Sequence, residues 1–494
     1  MADQDLKKSV IRGVMWRFAE RFGTQAMQFV VGVVLARLLG PEVYGTIALL
    51  TIFIAISQVL VDCGFGAALI QRKEVSDPES SSVFYLSILF AVICYAILSF
   101  MSPVIAQFYH RPILVPVLRV LAINLIFNAI NSVQNAFLAR KMRFDFSFRI
   151  ALTGTLASGI VGITLAYLGF GVWALVYSSL SSSLLTTALC WKFIGWRPRL
   201  MFSLQAVRPL FTFSWKLLAS GLLESIFRNL YGLVIGRVYS PTDLAFYNKG
   251  QAMPRLLMDS INGTLGTVAF PALSKLQDER SALKRAMRSM MQVSTFFVMP
   301  IMAVLAAAAE PTIRLLFGEQ WLPSVIFVQI ACISFALFPF HTINLQAIQA
   351  IGRSDVFLKL EILKKMCSLV SLVVVYKFGV VTFALVGALA IAPVSVVINA
   401  WPNRSLLSYS IREQVRDVLP TAIAAILVFL LIFPISFVGC ATVVRSMAMI
   451  AMQVVIGFSA YGLWAKYTEP EAFCFIVRQF PVMARIFAIR KNGN

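Results

Sequence analysis

The chain has 494 residues, of which 59% are hydrophobic and only 13% are charged. Soluble proteins carry about 25% charged residues, so this composition excludes soluble enzyme folds and predicts an all-α integral membrane protein with many transmembrane helices. Lysine and arginine outnumber aspartate and glutamate by 43 to 22, a surplus that collects in the cytoplasmic loops of membrane proteins and needs no nucleic acid to explain it.

Apolar runs long enough to cross a bilayer follow one another along the whole chain. They are continuous, whereas outer-membrane strands alternate apolar and polar residues over about ten positions. Fourteen runs are predicted as transmembrane helices, namely 13–36, 43–69, 83–106, 115–138, 150–167, 172–191, 211–236, 250–273, 291–309, 323–350, 358–376, 380–401, 418–438 and 446–465. The run at 250–273 is the weakest of them, and the last two are the most clearly hydrophobic.

The distribution of positive charge predicts the orientation of these helices. Fourteen spans put both chain ends on one side of the membrane, and that side holds 32 of the 43 lysines and arginines, against 7 on the other side. Cytoplasmic loops are the positive ones, so both termini are predicted in the cytoplasm. The opening residues MADQDLKKSVIRG lack the apolar core and cleavage site of a signal peptide and are interpreted as a cytoplasmic tail. The basic, aromatic stretch after Lys466 fits either an amphipathic helix on the inner leaflet or a partly ordered tail.

Common catalytic and metal-binding patterns are missing from the sequence. None of the 7 cysteines forms a CxxC pair, only 2 histidines occur, and the HExxH, Walker A and GxSxG motifs are absent. These patterns carry the usual zinc, nucleotide and acyl-transfer chemistry. The sequence therefore predicts no metal site, no cofactor and no catalytic residue.

The sequence also contains an internal repeat. The segment LARLLGPEVYG at 35–45 corresponds to IGRVYSPTDLA at 235–245, and FNAINSVQNAFLAR at 127–140 corresponds to FHTINLQAIQAIGR at 340–353. An even number of predicted helices separates the copies, so both enter the membrane in the same orientation. Parallel repeats of this kind place a substrate site between two halves that rock to alternate access.

This repeat predicts four regions in the chain. They are an N-terminal lobe with the first six helices (1–194), a cytoplasmic linker (195–210), a C-terminal lobe with the next six helices (211–402), and the last two helices with a basic cytoplasmic tail (403–494). The expected architecture is two parallel six-helix repeats followed by two further helices.

Charged and polar residues lie three or four positions apart along several predicted helices, which places them on single helix faces. A charge at the centre of a membrane helix costs about 2.5–3.5 kcal/mol, so it is tolerated only where it faces protein, water or a ligand. The cations predicted to bind substrate are Arg17, Arg21, Lys216, Arg228 and Arg255. The acidic residues predicted to pair with cations or to couple transport to an ion are Glu20, Asp62, Glu224 and Asp259. The neutral residues expected to line a wet lumen are Gln28, Asn128, Asn131, His341 and Asn344.

Two of these groups have a purely local interpretation that stays open. Glu224 with Arg228, and Arg255 with Asp259, are spaced to neutralise each other across one helical turn. The cations nevertheless outnumber the acids at several depths in the membrane, which favours an anionic substrate. Arginine suits phosphate in particular, because its planar fork binds two phosphate oxygens at once.

Other stripe residues have similarly local alternatives. Arg17 and Lys216 lie close enough to helix ends to extend into the headgroup layer. The asparagines of the fourth predicted helix could serve as hydrogen-bonding contacts between helices. Asp62 could cap its helix or pair with a neighbouring base.

Three segments together resemble those of bacterial polysaccharide transporters, namely GVMWRFAERFGTQAMQFVVGVVLARLLGPEVYGTIAL, DCGFGAALIQRKE and QNAFLARKMRFDF. These transporters are the Wzx-type flippases of lipid-linked oligosaccharides, including those for colanic acid and other exopolysaccharides. Their superfamily also holds the lipid II flippase and the multidrug-and-toxin extruders. The likeness covers most of the chain and is strongest over residues 10–150.

The resemblance implies fourteen helices, two lobes that form a V, and a cationic lumen. The implied substrate is an undecaprenyl-pyrophosphate-linked oligosaccharide, moved from the inner to the outer leaflet of the bacterial plasma (inner) membrane for exopolysaccharide or lipopolysaccharide synthesis. Its implied partners are this substrate and the bilayer, with polymerase and export machinery as further candidates. The sugar and any coupling ion stay undetermined.

Two other functions are weighed against the flippase. A multidrug extruder on the same fold would need an acidic lumen for cationic drugs, which the arginine and lysine stripes oppose. A membrane polymerase, ligase or glycosyltransferase would need a large extramembrane loop or a carboxylate cluster, whereas the longest loop between the predicted helices has only about 20 residues. The protein is therefore predicted not to be an enzyme.

Overall fold

The computed structural model describes residues 23–72, 75–141, 143–438 and 442–479, without the side chains at 204, 206, 213, 262–268, 438, 478 and 479. In these ranges the secondary structure is helical and includes no β-strand, which confirms the predicted all-α class. The predicted site residues Arg17, Glu20 and Arg21 lie outside the described residues. Tertiary contacts divide the chain into two compact units, residues 1–245 and 246–494.

The first unit is built from α-helices. They are α1 (Gly23–Leu38), α2 (Pro41–Asp62), α3 (Phe65–Gln71), α4 (Asp77–Phe108), α5 (Leu114–Leu121), α6 (Ile123–Arg140), α7 (Phe144–Tyr167), α8 (Val172–Phe193) and α9 (Leu204–Val238). Helices α7 and α8 pack along each other as a hairpin, α4 packs on α6, and α2 packs on α9. Helix α9 was expected to begin the C-terminal lobe, but in the structure it packs mainly against α2. The lobe boundaries stay a prediction.

The second unit continues from α10 (Pro241–Ser274), whose first turns belong to the first unit. Its helices are α11 (Arg280–Ala307), α12 (Ala309–Phe317), α13 (Val325–Ala336), α14 (Phe338–Ala350), α15 (Ser354–Val375), α16 (Val380–Val386), α17 (Ala392–Ala400), α18 (Asn403–Leu407), α19 (Ile411–Ile432), α20 (Val443–Thr468) and α21 (Glu471–Gln479). Short 3₁₀ turns at Glu319–Ser324 and Phe433–Val438 and a π turn at Gly387–Ile391 join some of them. The long helix α11 packs against α13, α14, α19, α20 and α21, so it is the centre of this unit.

Every predicted span falls on one or two consecutive helices wherever the structure describes it. In the described part of the chain, 11 helical stretches are long and apolar enough to cross a membrane. The other three predicted spans coincide with α1, of which only 16 residues are described, and with the more polar α10 and α15. The multi-pass character is therefore confirmed, whereas the count of fourteen spans and the two-repeat arrangement stay predictions.

A break in the second predicted span has a clear backbone cause. Cys63 and Gly64 adopt φ values of 42° and 69°, which end α2 and start α3 in a new direction. A Cβ atom on Gly64 would lie 3.2 Å from the carbonyl oxygen of Ser214 and 3.1 Å from Cβ of Leu217. Glycine at this position thus allows both the left-handed turn and the close approach of α9.

The two copies of the repeated motif meet in the first unit. Helices α2 and α10 both begin with the proline of that motif, Pro41 and Pro241. A Cβ atom on Gly45 would overlap the carbonyl oxygen of Pro241 and lie 2.9 Å from its Cβ. Arg111 holds the same end of α2 through an ion pair of 2.5 Å with Glu42. The motif therefore provides a close backbone contact between equivalent helix ends.

The described part of the basic tail packs against protein. Helix α21 buries Ala472, Phe473, Ile476 and Val477 in a cluster that contains Phe296 of α11 and residues of α19 and α20. This face is the apolar side of the amphipathic pattern in the sequence. Residues from 480 onward lie outside the described residues.

Candidate functional site

The first unit contains a polar network around Asp62 at the end of α2. The Nε2 atom of Gln58 donates to the Asp62 carboxylate at 2.8 Å, and Nδ2 of Asn128 on α6 donates to Oε1 of Gln58 at 2.8 Å. All three side chains are close to the surface, and Asp62 forms no ion pair with another described residue. The structure thus brings two predicted site residues together through Gln58, which the sequence analysis did not select. Its spacing of four residues from Asp62 was the signal that could have revealed it.

Asn131 lies one turn further along α6 and has a different role. It is buried, and its Nδ2 atom donates to the hydroxyl of Thr187 on α8 at 2.9 Å. Asn124 makes a similar contact with Ser179 at 3.2 Å. These contacts agree with the interpretation that part of the asparagine face joins helices, while Asn128 is exposed.

The cations and acid of α9 are exposed along the helix. Lys216, Glu224 and Arg228 all have exposed side chains, as does Gln28 on α1. Arg228 forms no ion pair with any other described residue, so it is not paired with Glu224 in this structure. Arg228 and Lys216 are therefore open to an anionic ligand.

In the second unit, Arg255 is likewise not paired with Asp259. Its Nη2 atom donates to Oε1 of Gln251 at 3.1 Å, one turn earlier on α10. Both Arg255 and Asp259 are exposed, and no ion pair joins them. A neutral amide leaves the positive charge of the guanidinium uncompensated, which again suits an anion.

Asn344, by contrast, is completely buried in the second unit. Its Nδ2 atom donates to Oε1 of Gln414 at 2.9 Å, and its Oδ1 atom accepts from Nδ2 of Asn403 at 2.7 Å. This network joins α14, α18 and α19 and closes the amide off from solutes. The half-buried His341 lies with Nδ1 at 3.2 Å from Nδ2 of Asn399, at the edge of the same layer.

An apolar cavity of about 600 Å³ lies in the second unit between α11, α13 and α19. Side chains such as Met302, Ile330 and Phe429 line it. The amide of Gln329 also faces the cavity but donates to the carbonyl oxygen of Ala306, at 3.4 Å. A cavity of this size and composition suits a hydrocarbon chain.

Comparison with solved structures assigns the fold. The structure of the lipid II flippase MurJ in an inward closed conformation matches with a TM-score of 0.71, covering 92% of this chain and 98% of that chain at 14% identity. An inward-facing multidrug resistance MATE family transporter matches with a TM-score of 0.60, covering 78% and 94% at 17% identity. The chain is thus a multi-pass helical membrane protein with the fold shared by these two transporters.

Sequence comparison then gives the family. Residues 34–326 match the polysaccharide biosynthesis protein family, and the chain belongs to it. This match confirms the resemblance found in the sequence.

Named relatives come from several bacteria. Teichuronic acid biosynthesis protein TuaB of Bacillus subtilis is 28% identical over 60% of this chain and 62% of its own length. Succinoglycan biosynthesis transport protein ExoT of Rhizobium meliloti is 26% identical over 64% of each chain. Lipopolysaccharide biosynthesis protein WzxC of Escherichia coli is 24% identical over 66% of this chain and 67% of its own. The chain therefore spans slightly less than two thirds of the length of TuaB and ExoT.

Proposed function

We propose that the protein is a flippase that moves undecaprenyl-pyrophosphate-linked oligosaccharide repeat units from the inner to the outer leaflet of the bacterial plasma membrane. The family, the transport protein among its relatives and the fold shared with a lipid II flippase support this activity. The observation that carries the proposal is the set of exposed cations on α9 and α10, Lys216, Arg228 and Arg255, which form no ion pair with another described residue.

The chemistry of a pyrophosphate explains these cations. Moving two phosphates through the membrane requires compensating charge, and guanidinium groups supply it with charge-assisted hydrogen bonds of about 1.5–3 kcal/mol each. Because neither arginine is held by the acid one turn away, a pyrophosphate does not have to displace Glu224 or Asp259 before it binds. Arg17 and Arg21 are proposed as further ligands on the strength of their helical spacing alone.

A multidrug extruder is the second candidate, since the fold is also that of a MATE transporter. The same exposed cations would repel a cationic drug, so this function is less favoured. A sugar-transferring enzyme is less favoured, because ExoT is described as a transport protein and the loops between the predicted helices are short.

We further propose that Asp62 couples transport to an ion gradient. Its carboxylate has a neutral amide donor at 2.8 Å in place of a cation. A carboxylate without a permanent positive partner can bind a proton or a sodium ion and release it again. The link through Gln58 to Asn128 connects that event to α6.

The contact between Gly45 and Pro241 supports alternating access at the other end of α2. In the proposed cycle, the N-terminal ends of α2 and α10 are in contact while the outer side is closed and separate when it opens. The ion pair between Arg111 and Glu42 lies at the same end of α2.

The test of the proposed function is a deletion strain complemented with the wild-type or variant gene. Loss of the protein is expected to accumulate lipid-linked repeat units on the cytoplasmic face and to stop polymer formation. Normal repeat-unit export in the deletion strain, with changed drug resistance, would support the extruder in its place.

The proposed inner-membrane topology is tested separately by cysteine labelling of intact cells. Cysteines at Arg111 and Arg314 should react with an impermeant reagent, and cysteines at Arg280 and Arg353 should not. Labelling at Arg280 or Arg353 would overturn cytoplasmic termini.

A further inference from the structure

A second, polar cavity lies in the second unit where α19 begins and α20 ends. It has a volume of about 750 Å³ and includes none of the residues assigned to the substrate. Helix α11 contacts both α19 and α21. The cavity is lined by residues of these three helices, and Trp464 and Thr468 of α20 complete its wall.

Ion pairs hold the walls of this cavity in place. Arg288 of α11 binds Asp417 of α19 at 2.8 Å and Glu471 of α21 at 3.1 Å. Lys284, one turn earlier, binds Glu413 at 2.9 Å and donates to the carbonyl oxygen of Ser408 at 2.6 Å. Three separate helices are thereby fixed around one space before any ligand arrives, which lowers the entropy cost of binding.

Tyr409 completes this framework in the loop before α19. Its hydroxyl donates to the Asp417 carboxylate at 2.7 Å. Burial, together with this hydrogen bond, raises the pKa of the Tyr409 hydroxyl, so the group stays protonated and remains a donor. The hydrogen bond from Tyr409 to Asp417 therefore keeps its donor through the physiological pH range.

One of the three cations that line the cavity does not take part in these ion pairs. Arg416 lines the cavity and is exposed, and it forms no ion pair with another described residue. The carboxylates of Glu413 and Glu471 keep side-chain exposures of 51% and 63%, so each still has oxygen lone pairs that face solvent. The cavity therefore offers a free guanidinium and accessible carboxylates in the same space.

The lining contains three cations and three carboxylates, so its formal charge is zero. A ligand with a single charge would be attracted by one set of these side chains and repelled by the other. A ligand that carries both a phosphate and an ammonium can place the phosphate on the cations and the ammonium on the carboxylates. Pro420, Ile423 and Trp464 supply an apolar edge that continues into the exposed, apolar surface of α19.

We propose that this cavity binds the headgroup of phosphatidylethanolamine, with the phosphate on Arg416, the ammonium on Glu413 and Glu471, and the acyl chains along α19. Tryptophan and basic residues at the end of a membrane helix are typical of the headgroup layer, which agrees with this placement. A primary ammonium donates three hydrogen bonds to carboxylates, whereas the methylated group of phosphatidylcholine donates none. The bound lipid is a structural partner and is independent of the transported substrate.

The experiment uses the purified full-length protein in detergent, with binding of dioleoyl phosphatidylethanolamine measured by native mass spectrometry. Wild type should bind it at least about tenfold more tightly than the phosphatidylcholine or phosphatidylglycerol with the same chains. Arg416→Ala should remove this preference. Arg412→Ala is the matched control, because it removes an exposed arginine of the same helix that does not line the cavity.

Other outcomes overturn the proposal in distinct ways. Stronger binding of phosphatidylglycerol would indicate a site for anionic lipids, and equal binding of all three would indicate unspecific lipid contact. Binding of free phosphoethanolamine as tightly as of the lipid would exclude a lipid site. If Arg416→Ala does not fold, Glu471→Gln gives the second arm, and it should lose the preference for phosphatidylethanolamine over phosphatidylcholine.

Discussion

The substitution Gly45→Ala tests the contact between the repeated helix ends. The added methyl would overlap the carbonyl oxygen of Pro241 and lie 2.9 Å from its Cβ, about 0.5 Å or more inside ordinary carbon–carbon contact. Both obstacles are backbone or ring atoms of a helix start, so neither can rotate away. Overpacking of this kind costs about 1–3 kcal/mol.

In the proposed cycle this cost falls on the closed arrangement of α2 and α10 alone. It should shift the population away from that arrangement by about 5- to 150-fold. Hydrogen exchange of the peptides that cover residues 40–50 and 236–246 reports the shift as faster exchange by a similar factor. Polymer output should fall while the protein remains in the membrane.

Gly32→Ala is the matched control for Gly45→Ala. Gly32 also lies in a membrane helix, but a Cβ atom there would meet nothing within 4 Å. Alanine favours a helix over glycine by about 1 kcal/mol, so this variant should be neutral or slightly more stable. Unchanged hydrogen exchange and polymer output in Gly45→Ala would refute the proposed gate.

Further predictions concern the substrate, the coupling ion and stability. Arg228→Ala should lower repeat-unit export by about tenfold or more, and Arg228→Lys should retain part of it because the charge remains, as measured by polymer yield at equal protein level; full export by the alanine variant would make the arginine dispensable. Asp62→Asn keeps an amide-sized side chain beside Gln58 but cannot bind a proton, so export should no longer respond to collapse of the ion gradient, and a wild-type response would contradict the coupling role. Asn344→Ala removes the buried donor to Oε1 of Gln414 and the 2.7 Å acceptor of Nδ2 of Asn403, and it should cost about 1–3 kcal/mol in thermal unfolding. Asn128→Ala, at an exposed position, should cost less than about 1 kcal/mol; equal effects would show that burial of the network does not matter.

Hydropathy was sufficient to find the helices, because a span of about 20 apolar residues has few other stable structures. It could not find the break at Cys63 and Gly64, since that break depends on a backbone angle and on the approach of α9 from about 150 residues away. It also could not show that α9 packs on α2, because an apolar helix face does not specify which neighbour covers it.

The polar site was less predictable than the fold. Helical spacing allows Arg255 to reach either Asp259, one turn later, or Gln251, one turn earlier, and in the structure the arginine donates to Gln251. These alternatives differ by a few tenths of a kcal/mol for exposed groups, so spacing alone cannot choose between them. The hydrogen bond between Asn128 and Gln58 joins residues 70 positions apart and follows from helix packing, which no local pattern contains.

The position of α21 has a consequence for biogenesis. Phe473 and Ile476 complete a core whose other members, such as Phe296 and Tyr461, are synthesised earlier. Chains emerge from the ribosome in order, at about 5–20 residues per second, so this core stays open until all the later membrane helices have been made. A chain that stops before α21 would present an unfinished apolar face to chaperones and proteases. Helix α21 thus gives the cell a way to distinguish chains that have completed this core from interrupted ones.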